Sequence, residues 1–145
     1  MARYLTTIRA PLSASALFTY LATFSNAKFW DPSVRSASFD GDGVPQLGSR
    51  YQLEIAARRG TTTFDYTIIE FIPSERVVLE AITKNFYSRD TIDIRPLDVH
   101  HAEFTYEATL RFRGFAAIAN GALFFVLRKI GRRAEIGLRR ELEAT

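Results

Sequence analysis

The stretch that decides the fold is Ala102-Glu103-Phe104-Thr105-Tyr106-Glu107-Ala108-Thr109-Leu110-Arg111-Phe112-Arg113-Gly114, together with the run that follows it, Phe115 to Leu127. Up to Phe112 the apolar side chains recur at every second position. Ala102, Phe104, Tyr106, Ala108, Leu110 and Phe112 therefore share one face, and His101, Glu103, Thr105, Glu107, Thr109 and Arg111 share the other. One dry and one wet face predicts an antiparallel strand covered on a single side. Gly114 ends that pattern, and the period changes to that of a helix of about 28 residues. At 100° per residue, Val126, Ile130, Ala134, Gly137 and Leu138 fall on one side. Arg128, Lys129, Arg132, Arg133, Arg139 and Arg140 fall on the other. Asn120 is the one polar side chain between Phe115 and Leu127, so the first half of this helix is expected deep inside the sheet and the second half at the surface. Gly131 and Gly137 weaken its end by about 1 kcal/mol each relative to Ala, which would let it bend or fray as a gate.

Upstream of residue 102 the chain is punctuated by turn signals at Asp40-Gly41-Asp42-Gly43, Arg59-Gly60, Pro73-Ser74, Lys84-Asn85 and Pro96-Leu97-Asp98. Strands are predicted over 34–39, 48–58, 61–72, 76–83 and 86–95, with the quoted strand at 101–113. Tyr51, Leu53, Ile55 and Ala57 share a face, opposite Arg50, Gln52, Glu54 and Ala56. A first strand occupies 2–10. Ser13 then caps a helix with Ala14, Leu17, Phe18 and Leu21 on its apolar side. After Ser25-Asn26 a second short helix ends at Trp30-Asp31-Pro32, because proline disfavours helix in the residue before it. The class is α+β, with a seven-stranded antiparallel sheet, two short helices after strand 1 and a long C-terminal helix. Its length of 145 residues, without repeat or linker, suits one domain over 1–145.

Composition excludes several kinds of chemistry. With no cysteine, disulfides, thiol nucleophiles and thiolate metal sites are impossible. Two adjacent histidines in a turn, His100 and His101, read as solvated turn residues; no metal and no organic cofactor is expected. The net charge of +3 comes entirely from the last segment: six basic and three acidic residues follow Gly114, and the rest of the chain balances. That is too little positive charge for a nucleic-acid partner. The N-terminus lacks the apolar core of a secretory signal, and the 13-residue apolar run 115–127 is shorter than the roughly 20 residues that span a bilayer, so a cytoplasmic location is expected. Twelve Phe and six Tyr mean either a ring-packed core or a ring-lined pocket.

Several local stretches resemble the helix-grip superfamily of START lipid-transfer domains and birch-pollen-allergen-like proteins, most closely its bacterial polyketide cyclase/dehydrase-like (SRPBCC) members. They are Ile8-Arg9-Ala10-Pro11, Leu17-Phe18 and Tyr20-Leu21, Phe29-Trp30-Asp31-Pro32, Gly48-Ser49-Arg50-Tyr51, Pro73-Ser74-Glu75-Arg76-Val77-Val78, and Leu110-Arg111-Phe112-Arg113-Gly114 with the terminal helix. The resemblance implies a curved sheet wrapped around the long helix with a cavity between them. It implies binding or carriage of a small hydrophobic molecule, such as a lipid, quinone or polyketide. It leaves the ligand open, because fold does not fix function.

By strand parity Tyr51, Phe64, Tyr66, Phe104 and Tyr106 face such a cavity, with Phe24 and Trp30 closing one end and Phe124 on the helix. Polar groups on the dry face are the sharper signal, since a buried group without a partner costs about 1–3 kcal/mol. If Ile92 and Ile94 point inward, so do Ser88 and Asp90; Glu70 would share a face with Ile68 and Tyr66. Asp90 reads as a general base or ligand acceptor with Tyr66 or Tyr106 as donor, or as a carboxylate paired with Arg89 or Arg95. Asn120 is a further ligand contact. The basic stripe reads as a solvated face or as peripheral contact with an anionic membrane. Three functions follow: a carrier of a small hydrophobic molecule, a polyketide cyclase or dehydratase, and an interaction module with a filled core. Monomer and homodimer both fit.

Overall fold

The computed structural model describes residues 2–41, 43–57, 59–114 and 120–144, without the side chains of 120–124. The chain runs β1 (Ala2–Ala10), α1 (Ala14–Ala22), a 3₁₀ turn (Phe24–Asn26), α2 (Ala27–Trp30), β2 (Val34–Asp40), β3 (Arg50–Ala56), β4 (Thr61–Ile72), β5 (Arg76–Ile82), β6 (Phe86–Pro96), β7 (Ala102–Phe112) and α3 (Asn120–Ala144). Seven antiparallel strands form one curved sheet in the order β1-β7-β6-β5-β4-β3-β2. This is the helix-grip architecture. Every strand in it pairs with the next in sequence except β1, which returns to pair with β7, so local hairpins dictate most of the topology.

Each element has a local cause. Ser13 caps α1, its Oγ accepting from the Ala16 amide at 3.2 Å, and Leu17, Phe18, Leu21 and Ala22 bury the face turned to the sheet. The Pro73-Ser74 hairpin closes with the Glu75 amide donating to the Ile72 carbonyl at 2.9 Å, and Ser74 takes a positive φ of 62° there. Strand alternation holds in β3 and β7, where Tyr51, Leu53, Ala102, Phe104 and Tyr106 are buried. In β3 it stops at Ala56, and Ala57 is exposed rather than part of the inner face.

Parity fails at one place in β4. A bulge between Ile68 and Glu70 inserts Ile69 as an extra residue, which is exposed. Beyond it Phe71, not Glu70, packs on the core. Glu70 instead points toward Arg76, 3.8 Å away, so it does not share the inner face with Ile68 and Tyr66 as alternation alone predicts.

The long helix differs most from expectation. Residues 115–119, which the sequence pattern includes in it, lie outside the described residues; α3 is described from Asn120. Its buried stripe is Leu127, Ala134, Leu138 and Leu142, with Ala134, Leu138 and Leu142 in the main core. The C-terminal half is thus anchored in the core along this stripe while its basic face lies at the surface as expected; the expected deep burial of 115–124 falls outside the described side chains. Val126, expected on the inner face, is half exposed, and Phe125 is 72 % exposed. The glycines explain how the C-terminal half gets so close. A Cβ on Gly137 would lie 1.9 Å from the Trp30 carbonyl oxygen, and one on Gly131 would lie 2.5 Å from the Tyr4 ring. They are contact points against α2 and β1 rather than weak spots from which the helix frays. No helix among the described residues is long and apolar enough to cross a membrane.

In an isolated helix Gly→Ala gains about 1 kcal/mol. Here Gly137→Ala should instead lose about 3 kcal/mol, because the clash is with backbone. Gly131→Ala should stay within about 1 kcal/mol of the parent, because the Tyr4 ring can swing away. Urea unfolding of both variants checks the order.

Candidate functional site

Between the inner face of the sheet and α3 lies a cavity of about 120 Å³. Its walls are mainly apolar: Phe24, Ala27 and Trp30 from the 3₁₀ turn and α2, Leu53 and Phe64 from β3 and β4, and Ile130, Ala134 and Leu138 from α3. Aromatic edges fix this wall. The Phe24 ring packs edge-on to Tyr66 with centroids 4.9 Å apart, and Trp30 packs edge-on to Tyr106 at 5.8 Å.

Four polar side chains enter this space from β4, β6 and β7. Asp90 pairs in register with Ala108, and Tyr106 with Ile92, so Asp90 and Tyr106 are diagonal neighbours on the same face. The Tyr106 hydroxyl donates to Asp90 Oδ2. Tyr66 on β4 and Ser88 on β6 share a hydrogen bond of 2.8 Å across β5. Ala81, paired with Ser88 and fully buried, is the small side chain that leaves room for this reach. A second carboxylate, Asp31, also lines the cavity and accepts from the Ser33 hydroxyl at 2.7 Å and the Ser33 amide at 2.9 Å.

Burial controls the protonation of this group. Asp90 is only 7 % exposed, and loss of hydration raises its pKa to about 7, with the Asp31 charge adding to the rise and the Tyr106 hydrogen bond opposing it. The Tyr66 and Tyr106 hydroxyls are held well above 10, first by burial and then by the Asp90 charge. Asp31 is raised by burial as well, against the pull of Ser33. Near neutral pH the site therefore offers a carboxyl that can either accept or donate, flanked by hydroxyls that remain protonated. The alternative pairing of Asp90 with Arg89 or Arg95 is not what forms: Arg89 is exposed, and Arg95 bonds Glu103 at 2.7 Å on the wet face.

The opposite wall closes on a polar contact of its own. Glu135 of α3 accepts from the Thr6 hydroxyl on β1, lies 3.4 Å from the Tyr4 hydroxyl, and pairs with Arg139 at 3.9 Å.

Of the residues singled out from sequence, Phe24, Trp30, Phe64, Tyr66, Asp90 and Tyr106 line the cavity. Tyr51 and Phe104 do not. Both face inward but are consumed by the core, Tyr51 stacking on Phe39 at 4.8 Å with its hydroxyl pushed by burial up to about 12. The side chains of Asn120 and Phe124 lie outside the described residues. Sequence reasoning missed Tyr4, Thr6, Asp31 and Glu135. In the sequence Asp31 is accounted for by its turn, which it does make, and Glu135 looks like one more charge in a basic stripe. The available signal is helical phase: Glu135 lies about 40° from Gly131 and about 60° from Leu138, on the flank of the buried stripe. His101 is exposed and bonds Asp98 at 2.9 Å in the β6–β7 turn, away from the cavity. Among the described residues no cluster of His, Asp or Glu could hold a metal ion.

With this geometry established, similarity to known proteins adds a lineage. The family model described as polyketide cyclase / dehydrase and lipid transport matches residues 1–143. The chain belongs to that family. Among solved structures, a START superfamily protein from Mycobacterium smegmatis is similar at a TM-score of 0.78 and 12% identity, covering 98% of this chain and 97% of that one. The Zhui aromatase/cyclase from a Streptomyces species is similar at 0.71 and 10% identity, covering 93% and 87%. A structure from Thermus thermophilus is similar at 0.74 and 13% identity, covering 98% and 94%. At such identities these likenesses establish the fold of this polyketide cyclase/dehydrase-family chain and nothing about its ligand. No curated protein matches it by sequence.

Asp90→Asn tests the electrostatics of the site directly. It keeps an acceptor for Tyr106 and removes the charge. Because the folded pKa is raised, the native state holds the proton longer than the unfolded chain, and ionisation costs stability progressively between about pH 4 and pH 7. Asp90→Asn should therefore be more stable than the parent by about 2–4 kcal/mol at pH 8. That advantage should shrink as pH falls through 7 and vanish below about pH 4, as read by urea titrations at several pH values.

Proposed function

We propose that this chain binds a small, single-ring hydrophobic molecule that carries one hydrogen-bonding group, seated with that group against Asp90 and Tyr106. The observation that carries this reading is the grouping of Asp90, Tyr106, Tyr66 and Ser88 on one wall of a mainly apolar cavity of about 120 Å³. Apolar cavities of roughly 150 Å³ hold one benzene-sized ring. A lipid chain or a fused-ring polyketide needs several times that volume and would require α3 to separate from β1. Existence of the cavity weighs against a module with a filled core.

Asp90 also decides which polar group the ring should bear. As a carboxylate it accepts from a phenol, and as a neutral acid it donates to a carbonyl. With the pKa near 7, p-cresol should bind more tightly as pH rises from about 6 to about 8, and benzaldehyde more weakly. Toluene should bind more weakly than p-cresol at the upper end of that range and show no pH dependence. Calorimetric titration of the three compounds decides; indifference to the polar group would sink the proposal.

A second reading is supported by the same carboxyl. An acid with pKa near 7 beside protonated tyrosines is suited to moving a proton α to a carbonyl, the chemistry a cyclase or dehydratase needs. If that is its use, the protein should accelerate deuterium exchange at the α-carbons of cyclohexanone in heavy water, and Asp90→Asn should lose the acceleration by about a hundredfold or more. Exchange no faster than in buffer would leave binding alone.

A further inference from the structure

The outer face of α3 is not explained by the cavity. Arg128, Lys129, Arg132, Arg133, Arg139 and Arg140 are all exposed, and between Phe125 and Arg140 a single acid, Glu135, stands against these six cations. That acid turns inward to Thr6 and pairs with Arg139, and with Glu141 and Glu143 beyond Arg140 the basic part of the face is the stretch from Arg128 to Arg133. Large apolar side chains sit within the same face. Phe125 is 72 % exposed and Ile136 is 60 % exposed. They lie eleven residues apart, about three helical turns, and so point along one line down the helix, with Lys129 and Arg132 between them. Phe125, Arg128, Lys129, Arg132, Arg133 and Ile136 together form a shallow surface depression.

A soluble polyanion would neutralise the arginines but leave Phe125 and Ile136 in water. A bilayer with anionic headgroups satisfies both: phosphates meet the cations, and the two apolar side chains enter the interfacial region. We propose that the outer face of α3, centred on Lys129, Arg132 and Ile136, docks this protein on anionic lipid surfaces. The docked helix is the same one whose inner face walls the cavity through Ile130, Ala134 and Leu138. The proposal does not depend on what the cavity holds.

The test is sedimentation of the full chain with phosphatidylcholine vesicles made with and without phosphatidylglycerol, at low and high salt. The parent should bind only the anionic vesicles and release in high salt. Lys129→Glu with Arg132→Glu should weaken binding by about tenfold or more. Ile136→Ser should weaken it by about three- to tenfold. All three residues are exposed, so thermal melts followed by circular dichroism should match the parent, and p-cresol titration should be unchanged; if the charge reversals lower the melt, Lys129→Gln with Arg132→Gln replaces them. Absence of binding to anionic vesicles, or binding that survives charge reversal, would overturn the proposal. So would equal binding of heparin or an oligonucleotide with no effect of Ile136→Ser, which would make the face a general polyanion site.

Discussion

The position of α3 rests on one close approach, that of Gly137 to the carbonyl of Trp30. A helix normally keeps a side chain's width between its axis and its neighbour. Here the missing side chain lets the backbone of α3 settle directly on the end of α2. Once that contact is made, the rest of the geometry follows. Leu138 and Leu142 reach the core, Trp30 is held against Tyr106, and Gly131 brings the helix onto the Tyr4 ring of β1. The cavity is the space that remains where helix and sheet cannot meet. Its modest volume reflects how close the helix lies.

Inside that space hydrophobic packing and electrostatics oppose one another. Burying Asp90 costs free energy that a leucine at the same position would not, and the Tyr106 hydroxyl offsets only part of it. The Tyr66–Ser88 pair is neutral, one hydroxyl donating to the other. Beside it, Asp90 has spare hydrogen-bonding capacity, since a carboxyl accepts several bonds and Tyr106 supplies one of them. Such a polar cluster is retained in an apolar interior at a stability cost, and sites of function are where that trade is commonly found.

Most of the fold could be read from the sequence because period and punctuation are local. The alternation from Ala102 to Phe112, the Pro73-Ser74 turn and the Ser13 cap each specify their element within a few residues. Ser88 and Asp90 were also legible, because two isoleucines downstream set their parity. What escaped was non-local. The bulge at Ile69 reverses parity without a glycine or proline to announce it, which displaced Glu70. Tyr51 and Phe104 face inward as parity requires, but whether an inward ring lines a void or fills it depends on what stands opposite. The glycines of α3 escaped because propensity describes a helix in water, and their role is set by Trp30 and Tyr4, more than a hundred residues away.

The hydrogen bond between Tyr66 and Ser88 passes over Ala81 and so ties β4 to β6 across the strand between them. Backbone ladders already join β4 to β5 and β5 to β6, so these three strands are fastened twice at this level. They form a stiff floor that resists shear. Among the described residues β1 and α3 are joined by side chains alone, the Glu135 carboxylate accepting from Thr6 beside Tyr4, with no backbone ladder behind that contact. Enlargement of the cavity is therefore directional. Successively larger occupants would keep their polar end in one place and gain room only by displacing the helix, so that ligand size is read out as helix position.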